Sequence, residues 1–503
     1  MYNSSKILFQ KKEVFILILI LMIAITMRIF VSFAFHGQSS DEFANIFLTR
    51  EVFASGFKDF PELFMWFYYF ISALLLFFVK DAFIATTFIS ISFSIASILV
   101  LYIIAKRISN STIAFFSCIL ILLNPEYTLI SSVPLREPVY TFFILISLLM
   151  LMQERTLIGA LMIGMAFLTR MEGLLVAMPL YLLCIFIFFP RKNWLKILIP
   201  TLSIFILCIF FMNLFLSKPF QYLTGSLGLH LALQKPISTL SHISLMEILI
   251  NFINSITKIL KYLFNLIGPN LIFALPGFIV LWKNRENKKN GRKLILYFIL
   301  PLLFWFCYIY IFGNIIYNFH RYFYTDIPLI LLLIAIGFFN LFDIKRIRFL
   351  ILIIFICGSI STYYFYYVNP GKQYFMISKA NKNLIGASLW IDKNIGLDKK
   401  SKLLIDGVAG FYLFRKQYKH HIVRWDEYRG ALAHNDPNSF FKFLRDENIK
   451  YVVWSNENLS ALTIAPYLKG FKEINSTYGI LIPIREWNRA PFVCNLFEFK
   501  RDQ

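Results

Sequence analysis

The stretch PELFMWFYYFISALLLFFV (residues 61–79) decides the fold, because it is apolar enough to cross a membrane and every later connection changes side if it does. Counted as a span, it places Lys106 and Arg107 outside and reverses each basic cluster after them. Laid at the outer interface, or dipping in partway, it leaves all the clusters on one side. Those clusters are Lys6, Lys11 and Lys12 before the first span, then Lys106 and Arg107, Arg155, and Arg191, Lys192 and Lys196. KNRENKKNGRK (283–293) and DIKRIR (343–348) continue the series. The positive-inside rule makes their common side cytoplasmic. The interfacial reading is therefore preferred, and Trp66, Tyr68 and Tyr69 suit the headgroup level.

Composition sets the class. A chain of 503 residues with 58% apolar, 18% aromatic and 16% charged residues would expose too much apolar surface as a soluble protein. Spans are predicted near 13–35, 82–105, 112–131, 138–152, 156–170, 173–189, 197–217, 262–282, 294–312, 326–342 and 349–367. The predicted fold is an all-α polytopic membrane bundle of about eleven helices with a small extracytoplasmic α/β domain at its C-terminus. The net charge of +22 lies mainly in short clusters between apolar runs, which fix topology and argue against nucleic acid as a partner. Cys118, Cys184, Cys208, Cys307 and Cys357 lie inside apolar runs and only Cys494 outside, so neither a disulfide framework nor a zinc pairing is indicated. The first apolar run is too long for a signal-peptide core and lacks a small-residue cleavage site, so it is kept as a span.

Two outer loops follow from this register. Residues 36–81 contain SSDEFANIFLTREVFASGF, a short amphipathic helix with Ser39 or Ser40 as its cap and Gly56 as its end. Residues 218–258 are again amphipathic and carry His230, His242 and Glu247. Residues 1–367 thus form the membrane domain and 368–503 a polar domain of mixed charge. The latter has strand-like runs at 402–406, 420–425, 451–455 and 480–484, alternating with helical patterns near 377–394 and 438–447.

Charged residues inside or at the edge of apolar segments carry the functional signal, since each costs about 2.5–3.5 kcal/mol at the bilayer centre. They gather at predicted outer helix ends: Asp41 and Glu42, Arg136 and Glu137, Arg170 and Glu172, and His320, Arg321 and Asp326. Packed together, they would ring one outward-facing cavity. Carboxylates beside cations suit transfer from a phosphate-linked donor. The acceptor hydroxyl needs a base as it attacks the anomeric carbon. The leaving lipid phosphate is already a stable anion and needs cations or backbone donors. Inverting glycoside hydrolysis uses a single carboxylate base comparably. Plainer readings stand beside these. Loop carboxylates are commonly solvated, and Arg136–Glu137 and Arg170–Glu172 are equally well structural ion pairs. Arg28 either snorkels to the outer interface or faces the cavity. The histidines at 230, 242, 420, 421 and 434 show no ligand spacing. A divalent cation between Asp41 and Glu137 would have only two carboxylates, too few to define a site.

The order of these elements resembles the GT-C-type glycosyltransferases, in the branch with protein O-mannosyltransferases and bacterial lipid A aminoarabinose transferase. The resemblance rests on a span, an outer DE (41–42) opening a helix, an aromatic interfacial helix after a proline, an acidic residue in the next outer turn, LTRMEGLL (168–175), and HRYFYTDIPLILLLIA (320–335). It covers most of 13–342 and extends loosely over the C-terminal domain. It implies an inverting transferase that takes sugar from a polyprenyl-phosphate donor, on the outer face, to a hydroxyl of a glycan, lipid or protein acceptor. On this resemblance Asp41 is the catalytic base with Glu42 its neighbour, and Glu137 positions acceptor or metal. Arg170 and Arg321 bind the donor phosphate, with Arg136, Glu172, His320 and Tyr322 in support. The chain departs from the pattern in having KDFPELF (58–64) where a Lys-Pro or His-Pro-Pro element is common, so Lys58 would supply that cation from a shifted position. Ala44 stands where some members carry an arginine. The alternatives are a transporter or flippase, a polymerase or ligase of lipid-linked glycans, or a noncatalytic scaffold. Transporters commonly show internal repeats, and none is seen. A bacterial cytoplasmic membrane is the expected location, with the N-terminus cytoplasmic.

Overall fold

The computed structural model describes residues 10–35, 40–58, 66–170, 173–215, 267–283, 290–297, 324–363, 402–405, 422–424, 437–455, 466–489 and 492–501, with single residues between 253 and 301 and between 383 and 395. Most of the 218–258 loop with His230, His242 and Glu247, most of the expected span 294–312, and Glu172, His320, Arg321, Tyr322, His420, His421 and His434 lie outside them. The chain divides into two compact units: Met1–Ala34 with Leu48–Val368, and Phe35–Phe47 with Asn369–Gln503.

The first unit is helical. Lys11–Phe33, Ala82–Ile108 and Arg191–Phe210 are long and apolar enough to cross a membrane, and Ser111–Leu123 with Pro125–Ser131 makes a fourth if that bent pair is one span. Six shorter apolar helices accompany them among the described residues: Glu137–Met152, Thr156–Thr169, Met178–Phe188, Pro269–Lys283, Ile327–Phe342 and Arg348–Thr362. The chain is an integral membrane protein. Phe15, Phe30 and Phe33 on the first helix, and Leu195 and Ile206 on a later one, stand exposed, a surface suited to lipid.

Within the deciding stretch, Phe67–Leu75 folds as a short helix, and residues 61–65 lie outside the described residues. We label the first helices α1 (Lys11–Phe35), α2 (Ser40–Ala54), α3 (Phe67–Leu75) and α4 (Ala82–Ile108). With 9 residues, α3 rises only about 14 Å, less than half the hydrocarbon thickness. Its aromatic residues do not face headgroups: Trp66, Tyr68 and Tyr69 are buried. Tyr68 donates to the Thr86 carbonyl at 3.1 Å and lies 3.1 Å from Ser90 Oγ, so its polar tip is satisfied by α4 rather than by the interface. Helices α1 and α4 run antiparallel. Lys106 Nζ, near the end of α4, reaches Glu13 near the start of α1 at 2.6 Å, and Ser111 Oγ also donates to Glu13. Farther along, Arg28 of α1 meets Ser94 of α4. Lys106 and Arg107 therefore share an end of the bundle with Lys11 and Lys12.

The expected span 112–131 is broken into α5 (Ser111–Leu123) and α6 (Pro125–Ser131), bent by 68°. Pro125 has no amide hydrogen to continue the ladder, and the Asn124 side chain accepts from Tyr127 N at 2.8 Å to begin a new helix. Helices α7 (Glu137–Met152) and α8 (Thr156–Thr169) form a hairpin. The expected span 173–189 begins as a π-helical turn, Gly173–Ala177, before α9 (Met178–Phe188), and α10 is Trp194–Phe215.

Helices Ala274–Lys283 and Ile327–Phe342 cross closely at two glycines. A Cβ on Gly277 would strike the Leu333 carbonyl, and one on Gly337 the Phe273 carbonyl. Small residues let backbones approach in this way. Gly337→Leu is expected to separate the two helices and to lower the yield of detergent-stable protein severalfold, read by size-exclusion chromatography. A monodisperse peak of normal height would contradict the close crossing.

The second unit carries a six-stranded sheet in the order β2-β1-β3-β6-β5-β4. The strands are β1 (Lys402–Ile405), β2 (Ile422–Arg424), β3 (Ile449–Ser455), β4 (Ile474–Ser476), β5 (Gly479–Arg489) and β6 (Phe492–Lys500). Strand β1 pairs parallel with β2 and β3, whereas β6 pairs antiparallel with β3 and β5. Helix Pro437–Asp446 buries Phe440, Phe441 and Leu444 in a core with Val452, Trp454, Phe497 and Phe499.

Candidate active site

The hairpin of α7 and α8 brings two distant charges to one place. Glu137 is the first residue of α7, where a carboxylate favours the helix dipole, and Pro138 is preset for a first turn. Helix α8 stops at Thr169, and Arg170 turns extended (φ −148°, ψ 143°) at its C-cap. Arg170 Nη1 donates to Glu137 Oε1 at 2.6 Å, with the side chains 11% and 1% exposed. A charge-assisted bond of this length in a shielded setting is strong and directional. The sequence left Arg136–Glu137 and Arg170–Glu172 open as structural ion pairs, and Glu172 lies outside the described residues. The structure joins Arg170 to Glu137 across the hairpin, a contact that antiparallel packing creates between residues distant in the chain.

The turn that leads into Glu137 is clamped from α4. Ser90 Oγ donates to the Leu135 carbonyl at 2.8 Å, and Leu135 N lies 3.2 Å from the same oxygen. The rings of Phe142 and Phe143 pack edge-on or tilted on Phe93, so the start of α7 lies beside the first half of α4. Glu137 and Arg170 therefore sit at the end of the bundle opposite Glu13–Lys106. At the other end of α7, buried Lys293 donates to the Leu151 carbonyl at 2.7 Å, so both ends of this helix carry the charge its dipole favours.

Helix α2 opens with Ser40, Asp41 and Glu42 and ends before Gly56, which has φ +64°. Among its described side chains, Glu42, Asn45, Thr49 and Val52 are buried, at helical spacing i, i+3, i+7 and i+10, and Leu48 and Phe53 are partly covered. Asp41 begins the helix one turn before Asn45. Lys58 lies just beyond α2, exposed and with no ion pair among the described residues. Arg136, which precedes α7, is half-buried. Asp41 and Glu42 fall within the second unit, and Glu137, Arg170 and Lys58 within the first.

Some buried charges escape the sequence reading. Glu126 in α6 is fully buried, hidden within a run taken as one continuous span. The signal for it was NPE (124–126), a helix-start pattern inside an apolar segment. Asp326 is buried just before Ile327–Phe342, and its Oδ2 has no hydrogen-bond partner among the described residues. Arg28 neither snorkels nor opens to solvent: its side chain is fully buried. No group of three or more metal-ligating side chains occurs among the described residues. Glu137 Oε1 accepts from the Arg170 guanidinium, which balances its charge.

The chain has the fold of the GT-C glycosyltransferases. ArnT from Cupriavidus metallidurans, solved with bound undecaprenyl phosphate, matches it with a TM-score of 0.61 at 13% identity, over 95% of this chain and 97% of that one. An oligosaccharyltransferase from Archaeoglobus fulgidus, tethered to an acceptor peptide, matches with a TM-score of 0.58 at 11% identity, over 98% of this chain and 74% of that one. AglB from Archaeoglobus fulgidus, with an inhibitory peptide and a dolichol-phosphate, gives 0.56 at 11% identity, again over 98% and 74%. No family model and no curated protein matches the sequence.

Proposed function

We propose that the chain is a membrane glycosyltransferase that moves a sugar from a polyprenyl-phosphate carrier to an acceptor hydroxyl on the outer face, with inversion. The observation that carries this reading is the buried Glu137–Arg170 pair in a fold shared with ArnT and an archaeal oligosaccharyltransferase. The bound undecaprenyl phosphate and dolichol-phosphate of those neighbours support a lipid-phosphate donor here.

In this mechanism Asp41 takes the proton from the acceptor hydroxyl as its oxygen attacks the anomeric carbon. Glu42 is its neighbour at the start of α2, and Glu137 helps position the acceptor. The sugar–phosphate bond breaks on the opposite face, and the electron pair leaves on the carrier phosphate. Arg170, held by Glu137 and 11% exposed, supplies the cation that this phosphate oxygen needs as it departs. Arg321 adds a second cation, with Arg136, Glu172, His320 and Tyr322 in supporting roles. Lys58, being exposed, reaches the donor headgroup from the rim. The acceptor is the hydroxyl of a glycan, lipid or protein. We place the chain in a bacterial cytoplasmic membrane as a bundle of about eleven spans with its C-terminal domain, 368–503, outside.

The test is transfer from radiolabelled polyprenyl-phosphate sugars in membranes containing the chain. The label is expected to move to an acceptor. Label that stays on the intact lipid and changes leaflet would mark a flippase instead. Topology gives a second expected result. In a chain without its native cysteines, Arg107→Cys should be protected from an impermeant maleimide in intact cells and Arg136→Cys labelled. The reverse pattern would contradict the outer placement of the site.

A further inference from the structure

Arg28 lies in the interior of α1, seven residues before its end, and its guanidinium is fully buried. Its Nε donates to both Ser94 Oγ of α4 and Ser131 Oγ of α6, each at 2.9 Å. Its Nη1 donates to the Ala24 carbonyl at 3.2 Å, and Nη2 has no hydrogen-bond partner among the described residues. The guanidinium carbon stands 5.7 Å from the centre of the Tyr127 ring, which is stacked on Tyr324 at 4.6 Å with an angle of 1°. Tyr324 in turn donates to the Tyr127 carbonyl at 3.4 Å. All these partners are neutral. A buried cation without a carboxylate is expensive, and replacing such a group by an apolar one of similar size is commonly neutral or stabilising. The folded state thus gains little from the charge itself.

What Arg28 does have is reach. It ties α1 to α4, to the last residue of α6 and, through the tyrosine stack, to the segment before Ile327–Phe342. Ser131 ends α6, and residues 132–136 run directly from it into Glu137. Ser90 of α4 holds the far side of that turn through Leu135. The turn is therefore pinned at Ser131 by Arg28 and at Leu135 by Ser90, one helical turn before Ser94 on the same helix.

We infer that Arg28 is a positioning residue for the Glu137–Arg170 pair: by holding α6 against α1 and α4 it sets where turn 132–136 delivers Glu137. The kinetic part of this inference rests on the transferase reading above, and the labelling part does not. Arg28→Met is expected to insert and purify at wild-type levels. It should lower kcat about 100-fold with little change in donor KM, the scale of an ångström-sized misplacement. Arg28→Lys keeps the charge but cannot bridge Ser94, Ser131 and the Tyr127 face, so it should recover only part of that loss. Combined with Glu137→Gln, Arg28→Met should add almost nothing, because both changes act through one group.

Full recovery by lysine, a raised donor KM with unchanged kcat, or independent multiplication of the two losses would overturn the inference. A milder variant, Ser131→Ala, should show the same kcat pattern at smaller size. The second arm needs no substrate. With Arg136→Cys in a chain lacking its native cysteines, Arg28→Met should change the maleimide labelling rate severalfold. An unchanged rate would mean that the turn does not depend on Arg28, whatever the chain transfers. Loss of label transfer by the wild type with a changed labelling rate would instead count against the transferase reading alone.

Discussion

Asp41→Asn is expected to abolish sugar transfer, lowering kcat by at least about 1000-fold, within the range a positioned general base contributes. The amide is nearly isosteric with the carboxylate but cannot accept the acceptor's proton. The loss should fall on kcat and leave donor KM close to the wild-type value, since Asp41 acts on the acceptor as the bond forms. The protein should still fold. Asp41 is the second residue of α2, and removing a first-turn charge costs roughly 0.3–1 kcal/mol. The checking measurement is transfer from labelled donor, with expression and detergent stability followed in parallel. A correctly assembled Asp41→Asn chain with wild-type kcat would remove Asp41 as the base.

Arg170→Met is expected to damage both stability and turnover, and a second substitution should separate the two. Alone, it removes the guanidinium that balances the buried Glu137 carboxylate, and breaking a buried ion pair from one side costs about 3–5 kcal/mol. The single variant should therefore melt at a clearly lower temperature and accumulate poorly. Arg170→Met with Glu137→Gln removes both charges and should regain most of that stability. It should remain inactive, because the departing phosphate has then lost the cation that Glu137 fixes in place. Thermal melting and transfer assays on the single and double variants check this. Recovery of activity together with stability would make the pair a structural brace only.

Much of this was legible in the sequence because the physical signals are strong. Long apolar runs and basic clusters at alternate connections are dictated by the bilayer, and α1, α4 and α10 lie where those runs predict. Gly56 marks the end of α2 because the chain there needs a positive φ. The charges at Glu137 and Arg170 were visible as costly residues in apolar surroundings. Their pairing was not, since it depends on α7 and α8 folding back antiparallel. The break at Asn124–Pro125 had a local signal that the hydropathy of 112–131 concealed. In the second unit, β5 is longer than ILIPI because a register shift between Pro483 and Arg485 carries the strand past its proline. Strand β6 was missed because, with β3 and β5 on either side, it buries Asn495 as well as Cys494 and Leu496 and so lacks clean alternation. Burial of Glu42, Asn45 and Thr49 on α2 follows from tertiary surroundings, not from their own preference.

The measurement that tests the central claim most directly follows both products of the purified chain in sealed lipid vesicles. A polyprenyl-phosphate sugar of known anomeric configuration is supplied together with an acceptor. One free carrier phosphate is expected for each sugar transferred, and the new linkage should have the opposite anomeric configuration. Intact donor recovered from the other leaflet without free carrier phosphate, or a product that retains the donor's configuration, would contradict the account.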